Sequence, residues 1–376
     1  MTSAPVVVIA PDKFKGTLTA SEVADAIGAG LRAEAPECEQ VLVPMADGGD
    51  GTVAALVAGG WELRNVRAVD ALGRQVDTIA ARHEGTVLVE LANICGIAGL
   101  DGKLEPWAAS TRGLGLALRS LLDADVTEVI VALGGSASTD GGAGLLAGLG
   151  FALLDATGSP VADGLLGLSN IDRIVAPDDL AELSSLTWTV LCDVDAPLLG
   201  PDGAAYVFGP QKGLRFTDLD SADDALAHWE AVLADFGGRS VGYEPHAGAA
   251  GGTAAALMAV FGAQAVSGAQ FIAEQRGLAH KVQAADLVVT GEGRFDRTSL
   301  TGKAPGVVLQ LCEREGVAVV LVTGSIDSDA PLSVTGRVLT LTDACRESED
   351  PFVDTQELLI RIGRQIGSKL LPLRAQ

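Results

Sequence analysis

No stretch of this 376-residue chain approaches 18 unbroken apolar residues, so no membrane-spanning helix is expected. The opening Met1-Thr2-Ser3-Ala4-Pro5 lacks a basic segment, and the apolar run after it is too short for a signal peptide. Five cysteines stand far apart with no CxxC spacing, which predicts reduced, mostly buried thiols and a cytoplasmic protein. Four histidines show neither HxH nor HExxH spacing, which disfavours a zinc site. GxxxxGK[ST] is missing, and so is an HRD…DFG set, which removes P-loop NTPases and protein kinases. Gly113-Leu114-Gly115 lacks the third glycine of a dinucleotide fingerprint and lies on a helix-like stretch. Positive charge is scarce: 26 Lys and Arg oppose 49 Asp and Glu, for a net charge of −23. That balance argues against nucleic acid and anionic membrane partners, so an anionic substrate would need a local positive pocket.

What the chain has is apolar residues (48%) and 47 glycines without a repeat period, enough for a sizeable core with glycine-rich loops. The first seventy residues alternate: strand 6–10, helix 20–34 with Thr19 as N-cap, strand 41–44, helix 51–58. Such βαβα alternation predicts a parallel sheet. Runs at 61–69, 75–81 and 86–91, joined by turn signals, then predict an antiparallel or mixed meander. Helices return from about residue 111, with strands at 128–133 and 187–192. After residue 285 alternation resumes through strand 287–290, helix 304–315, strands 317–323 and 338–341, and helix 354–370. The expected fold is therefore α/β. A doubly wound Rossmann/flavodoxin-like domain is built from residues 1–65 and 285–376, and residues 66–284 form an inserted α+β domain.

Three loops combine glycine with carboxylates: Asp47-Gly48-Gly49-Asp50-Gly51, Gly134-Gly135-Ser136-Ala137-Ser138-Thr139-Asp140, and Gly291-Glu292-Gly293-Arg294-Phe295-Asp296. Glycine allows close backbone approach, and bared N–H groups at a helix start favour anions. Carboxylates in such loops repel phosphate unless a cation lies between. Lysine extends the pattern. Of only seven lysines, Lys13, Lys15, Lys212 and Lys303 occupy glycine or proline loops, where a compact ammonium suits a phosphate oxygen. Solvated loop lysines are the plainer alternative.

Asp193 and Asp195 follow an apolar run and, two apart on a strand, would share a face suited to Mg²⁺ or to accepting a hydroxyl proton. The alternative is a strand exit with solvated acids. Glu292, Arg294 and Asp296 would stand at the carboxyl edge of a parallel sheet, where such sheets bind ligands; an Arg294–Asp296 surface pair is the competing interpretation. Asp47 or Asp50 could simply cap the helix from Gly51, and Ser138 or Thr139 could cap the next one.

At these residues the chain resembles bacterial type I glycerate kinases. The resemblance rests on the blocks 8–16, 44–52, 192–195, 207–213 and 290–296, in the family's order over nearly the full chain. It departs from the usual pattern at Lys13, Asp50, Ala196 and His246, where serine, glutamate, asparagine and glycine are usual. The resemblance implies phosphoryl transfer from ATP to D-glycerate with Mg²⁺, in organic-acid catabolism. The expected product is 2-phosphoglycerate, with 3-phosphoglycerate the other regiochemical outcome.

The blocks imply involvement; the roles expected within that reaction follow from what phosphoryl transfer needs, in-line positioning and neutralised charge. Asp193 or Asp195 accepts the hydroxyl proton while the other helps to hold Mg²⁺, together with Glu292 and Asp296. Lys15 and Lys303 neutralise the transferring phosphoryl group. Arg294 or Arg74 grips the glycerate carboxylate, with Asp12 and Asp47 on the substrate side. Gly134, Gly135, Ser136 and Ser138, with Lys212, Gly251 and Gly252, surround the ATP phosphates. A homodimer is compatible with the sequence. Two rivals stand beside this account: a nucleotide-dependent oxidoreductase of small hydroxy acids, and a non-catalytic glycerate- or nucleotide-sensing module.

Overall fold

A computed structural model of the chain describes residues 4–300, 302–327 and 337–369. Met1–Ser3 of the expected start, Thr301 of the Lys303 loop and Leu370 at the end of the last expected helix lie outside the described residues.

Among the described residues the strands run β1 (Val6–Ile9), β2 (Glu39–Leu42), β3 (Glu62–Val69), β4 (Gln75–His83), β5 (Thr86–Glu90) and β6 (Glu128–Ala132). They continue as β7 (Ala152–Leu154), β8 (Arg173–Val175), β9 (Thr187–Leu191), β10 (Gln264–Val266), β11 (Leu287–Phe295), β12 (Val319–Ile326) and β13 (Arg337–Thr340). The chain divides into two compact units. One takes in the described residues up to Asp47, Ala54–Gly60, and those from Ser267 onward; the other takes in Gly48–Val53 and Trp61–Val266.

The first unit holds a five-stranded parallel sheet in the order β13-β12-β11-β1-β2. Counted along the chain within this unit, that is the 2-1-3-4-5 order of a flavodoxin-like sheet. Its central strands are continuous apolar runs (Val7, Val8 and Ile9; Leu287, Val288 and Val289) because both faces are covered. Thr19 begins the helix Ala20–Glu34 with a capping box: its hydroxyl accepts the Glu22 N–H, and Glu22 accepts the Thr19 N–H.

The second unit carries a six-stranded mixed sheet, β10-β9-β6-β5-β4-β3. The pairs β3/β4 and β4/β5 are antiparallel, as the meander predicts, while β5, β6, β9 and β10 are parallel. Parallel strands put the carboxyl ends of β5, β6 and β9 at one edge. There stand Glu90, the Gly134–Asp140 loop and Asp193.

One expectation is corrected here. Residues 290–295 are strand rather than loop, since β11 continues to Phe295 against β12, with Glu292 opposite Thr323 and Arg294 opposite Ser325. Gly291 does not end the strand. Instead Gly291 serves close sheet packing, because a Cβ there would lie 1.8 Å from the Val322 carbonyl oxygen.

Candidate active site

In the first unit the strand order reverses between β1 and β11, the switch point where doubly wound sheets form their ligand crevice. Asp12 follows β1, and its N–H donates to Gly291 O at 2.8 Å, so it is held beside Glu292 on β11. Asp12 is 5% exposed and Glu292 8% exposed. Burial lifts the Asp12 carboxyl from 3.8 to about 7; Lys13 opposes the rise, and Asp47 and Glu292 add to it. Burial likewise lifts Glu292 from 4.5 to about 6, against the hydrogen bond from Ser299 and the charge of Lys303. Lys13 Nζ stands 3.8 Å from Asp12 and 3.7 Å from Asp47. Glu292 Oε1 is buried with no hydrogen-bond partner, which marks a place for a cation or a ligand hydroxyl.

Around this group the other expected residues differ. Lys303 Nζ is 3.9 Å from Asp296. Asp296 Oδ1 also accepts the N–H and hydroxyl of Thr298 and the Ser299 N–H, so this acid closes the turn after β11 as well as facing a lysine. Arg294 forms a two-pronged pair with Asp327 (2.9 and 2.8 Å), not with Asp296. Lys15 is exposed, and its backbone with that of Phe14 passes close over Gly293.

In the second unit the Gly134–Asp140 loop packs on glycines of two other segments. Gly134 N–H donates to Gly48 O at 3.2 Å and Gly141 N–H to Gly251 O at 2.9 Å, while Gly252 N–H donates to Gly248 O at 3.2 Å. The Gly134 and Gly141 bonds join separate loops, and the Gly252 bond closes a turn within its own segment. Ala250, Gly251 and Gly252 are all left-handed (φ 54°, 68° and 90°). A Cβ at Gly251 would fall 2.2 Å from Ser138 O and 2.9 Å from Lys212 Nζ, which no side chain allows.

Lys212 is 3% exposed and donates from Nζ to Ser138 O at 2.5 Å. Burial lowers it from 10.5 to about 8, partly countered by Asp140. Ser136 Oγ donates to Ser138 O at 3.2 Å and accepts the Ser138 N–H at the same distance. Thr139 Oγ1 is buried without a partner. Asp140, fully buried, accepts from the Thr111 N–H and hydroxyl and from the Gly144 N–H, and so ties this loop to the start of the helix Arg112–Leu121.

Asp193 and Asp195 are not equivalent. Asp193 is half-buried, whereas the Asp195 side chain is 93% exposed. The chain leaves β9 at Leu191 and turns, so strict strand alternation no longer governs them. His246, at φ 71°, donates from Nδ1 to Val194 O at 2.9 Å between the two acids. Left-handed backbone costs a non-glycine residue about 1 kcal/mol or more. Arg74 lies in the β3–β4 turn, pairs with Asp70 at 2.5 Å and donates to Gly99 O at 3.1 Å.

Glu90 was not foreseen. Fully buried at the end of β5, it accepts the N–H groups of Gly51 and Val53, the capping role expected of Asp47 or Asp50. Its only sequence signal is a lone acid closing the apolar run Val87–Val89.

The glycerate kinase family profile matches residues 7–371. The chain belongs to the glycerate kinase family. A glycerate kinase of Halalkalibacterium halodurans is 35% identical over 91% of this chain and 94% of its own length. The glycerate 2-kinase of Escherichia coli strain K12 is 36% identical over 92% of this chain and 94% of its own. A crystal structure of a candidate glycerate kinase 2 from Salmonella typhimurium LT2 superposes with a TM-score of 0.83 at 33% identity, covering 99% of this chain and all of the other. The chain is thus a kinase of two-unit α/β fold. None of its helices, among the described residues, is long and apolar enough to cross a membrane. All five cysteines are free thiols, four of them buried.

Proposed function

We propose that this kinase transfers the γ-phosphoryl group of ATP to D-glycerate with the aid of Mg²⁺, giving 2-phosphoglycerate for organic-acid catabolism in the cytoplasm. The observation that carries the reading is the group at the β1/β11 switch point. Two buried acids, Asp12 and Glu292, stand there with Lys13, and Glu292 keeps an unpartnered oxygen.

Phosphoryl transfer asks the protein mainly for positioning and for neutralised charge. Among the described residues no three His, Cys, Asp or Glu side chains gather as a metal cage. Mg²⁺ suits such a site, since it binds through one or two carboxylates, keeps several waters and takes the rest of its ligands from substrate phosphates. Glu292 would supply one carboxylate, and Asp296, after the same strand, a second. Bound there, the metal would draw charge from the phosphate oxygens.

Lys15 and Lys303 then meet the transferring phosphoryl. Asp12 and Asp47 accept glycerate hydroxyls, and Asp193 or Asp195 takes the proton from the attacking hydroxyl. Arg294 and Arg74 both hold carboxylates already, so either would exchange that partner for the glycerate carboxylate. Arg294, on the same strand as Glu292, suits this better. Lys212, Ser136, Ser138 and the 250–252 turn form the nucleotide-phosphate side.

ADP release measured with D-glycerate, ATP and Mg²⁺ tests the reading. It should require all three and stop in excess EDTA; full turnover in EDTA removes the metal from the account.

A further inference from the structure

His246 departs from ordinary backbone geometry beside the two candidate acids. Its φ of 71° places a branched ring residue in the left-handed region, where strain at a non-glycine residue points to a task. The ring supplies one. A carbonyl oxygen can only accept, so Nδ1 carries the proton in its 2.9 Å bond to Val194 O. Val194 is the residue between Asp193 and Asp195, and the peptide it begins leads directly into Asp195. The His246 backbone faces the same segment, its N–H pointing at Asp195 O at 3.4 Å, and Gly248 N–H donates to Ala196 O at 2.9 Å. Those backbone bonds hold residues 195 and 196. Among the described residues, only the imidazole donates to the carbonyl between the acids. His246 Nδ1 also lies 3.6 Å from Asp195 Oδ1, so the ring limits where that exposed carboxylate can swing.

We propose that His246 is a positioning residue for phosphoryl transfer: by holding the Val194 carbonyl it fixes the peptide that aims the Asp193 and Asp195 carboxylates. This rests on the reading in which those acids serve the reaction. The role separates activity from stability. Glycine at 246 would accept the left-handed backbone without strain but leave the carbonyl unheld. Asparagine tolerates the same backbone and offers an amide N–H.

Steady-state kinetics and thermal unfolding of His246→Gly and His246→Asn test it, beside Asp193→Asn and Asp195→Asn. His246→Gly should keep or raise Tm while kcat falls about 10-fold, with KM for ATP and glycerate changed less than about 3-fold, as expected when transition-state geometry alone is loosened. His246→Asn should recover most of that kcat. Wild-type kcat in His246→Gly beside crippled Asp variants overturns the proposal and leaves the reading of the acids standing. A Tm that falls together with kcat and is not restored by Asn also overturns it. Near-normal activity in both Asp variants overturns the reading itself.

Discussion

Glu90 accepts the Gly51 N–H at 2.8 Å from the buried end of β5. Its second oxygen takes the Val53 N–H at 2.9 Å, so one carboxylate holds the start of the helix Thr52–Val57. Glu90→Ala strips one buried and one part-buried donor of their partner and should destabilise the protein by about 2–4 kcal/mol. Glu90→Gln keeps one acceptor and should cost less. Denaturant unfolding of the two variants measures the difference, and equal stability of Glu90→Ala and wild type would contradict the capping role.

Stability should fall as pH rises through the range set by Asp12 and Glu292. Both acids have folded values above their ordinary ones, Asp12 about 7 against 3.8 and Glu292 about 6 against 4.5. Between those values the folded state binds more protons than the unfolded state, so unfolding free energy declines with increasing pH. The advantage is fully present below about pH 4 and gone above about pH 7. Asp12→Asn should flatten the decline and stabilise the ligand-free enzyme at pH 7.5. Unfolding curves from pH 4.5 to 8 check this, and a slope unchanged in Asp12→Asn would refute the burial argument.

Lys212 gives the opposite sign. Its folded value of about 8 lies below the ordinary 10.5, so the unfolded state binds more protons between the two and stability should rise with pH there. Lys212→Met removes a buried charge and should leave Tm equal or higher. It should raise KM for ATP, at the roughly 10-fold level of a lost phosphate contact. An unchanged KM for ATP would take Lys212 out of the nucleotide site.

The two acids after β9 should separate. Asp193→Asn and Asp195→Asn should each lower kcat by about 10²-fold if they serve as base and metal ligand. Asp195 is almost fully exposed, so Asp195→Asn should leave Tm unchanged, whereas half-buried Asp193 has surroundings to disturb. The lysines divide in the same way. Lys15→Ala and Lys303→Ala should depress kcat more than they raise KM for glycerate, and Lys103→Ala should do neither. Lys281 donates to Arg276 O, so Lys281→Ala should touch stability but not kinetics.

Much of this was legible in the sequence because it is local. The Thr19 cap lies three positions from its partner Glu22, and the meander β3–β4–β5 is joined by short turns. What the sequence hid depends on distant partners. Glu90 lies 39 residues from Gly51, so no pattern around Asp47 or Asp50 could reveal that cap. The extension of β11 through Gly291 and Gly293 depends on β12 offering a paired edge. Gly134, Gly135, Gly251 and Gly252 suggest a phosphate cradle, but a sequence cannot show that the Gly134 N–H meets the Gly48 carbonyl. The lysines and acids of the loops were visible as chemistry; their burial, and so the raised Asp12 and lowered Lys212, was not.

Phosphorus NMR of the product tests the central claim most directly. The enzyme is incubated with ATP, Mg²⁺ and D-glycerate until ADP accumulates. The account predicts a new phosphomonoester signal equal in amount to the ADP and split into a doublet by the single C2 proton of 2-phosphoglycerate. A triplet from the C3 protons would move the phosphoryl group to the other hydroxyl. ADP formed with inorganic phosphate alone, regardless of glycerate, would contradict the proposed phosphoryl transfer to glycerate.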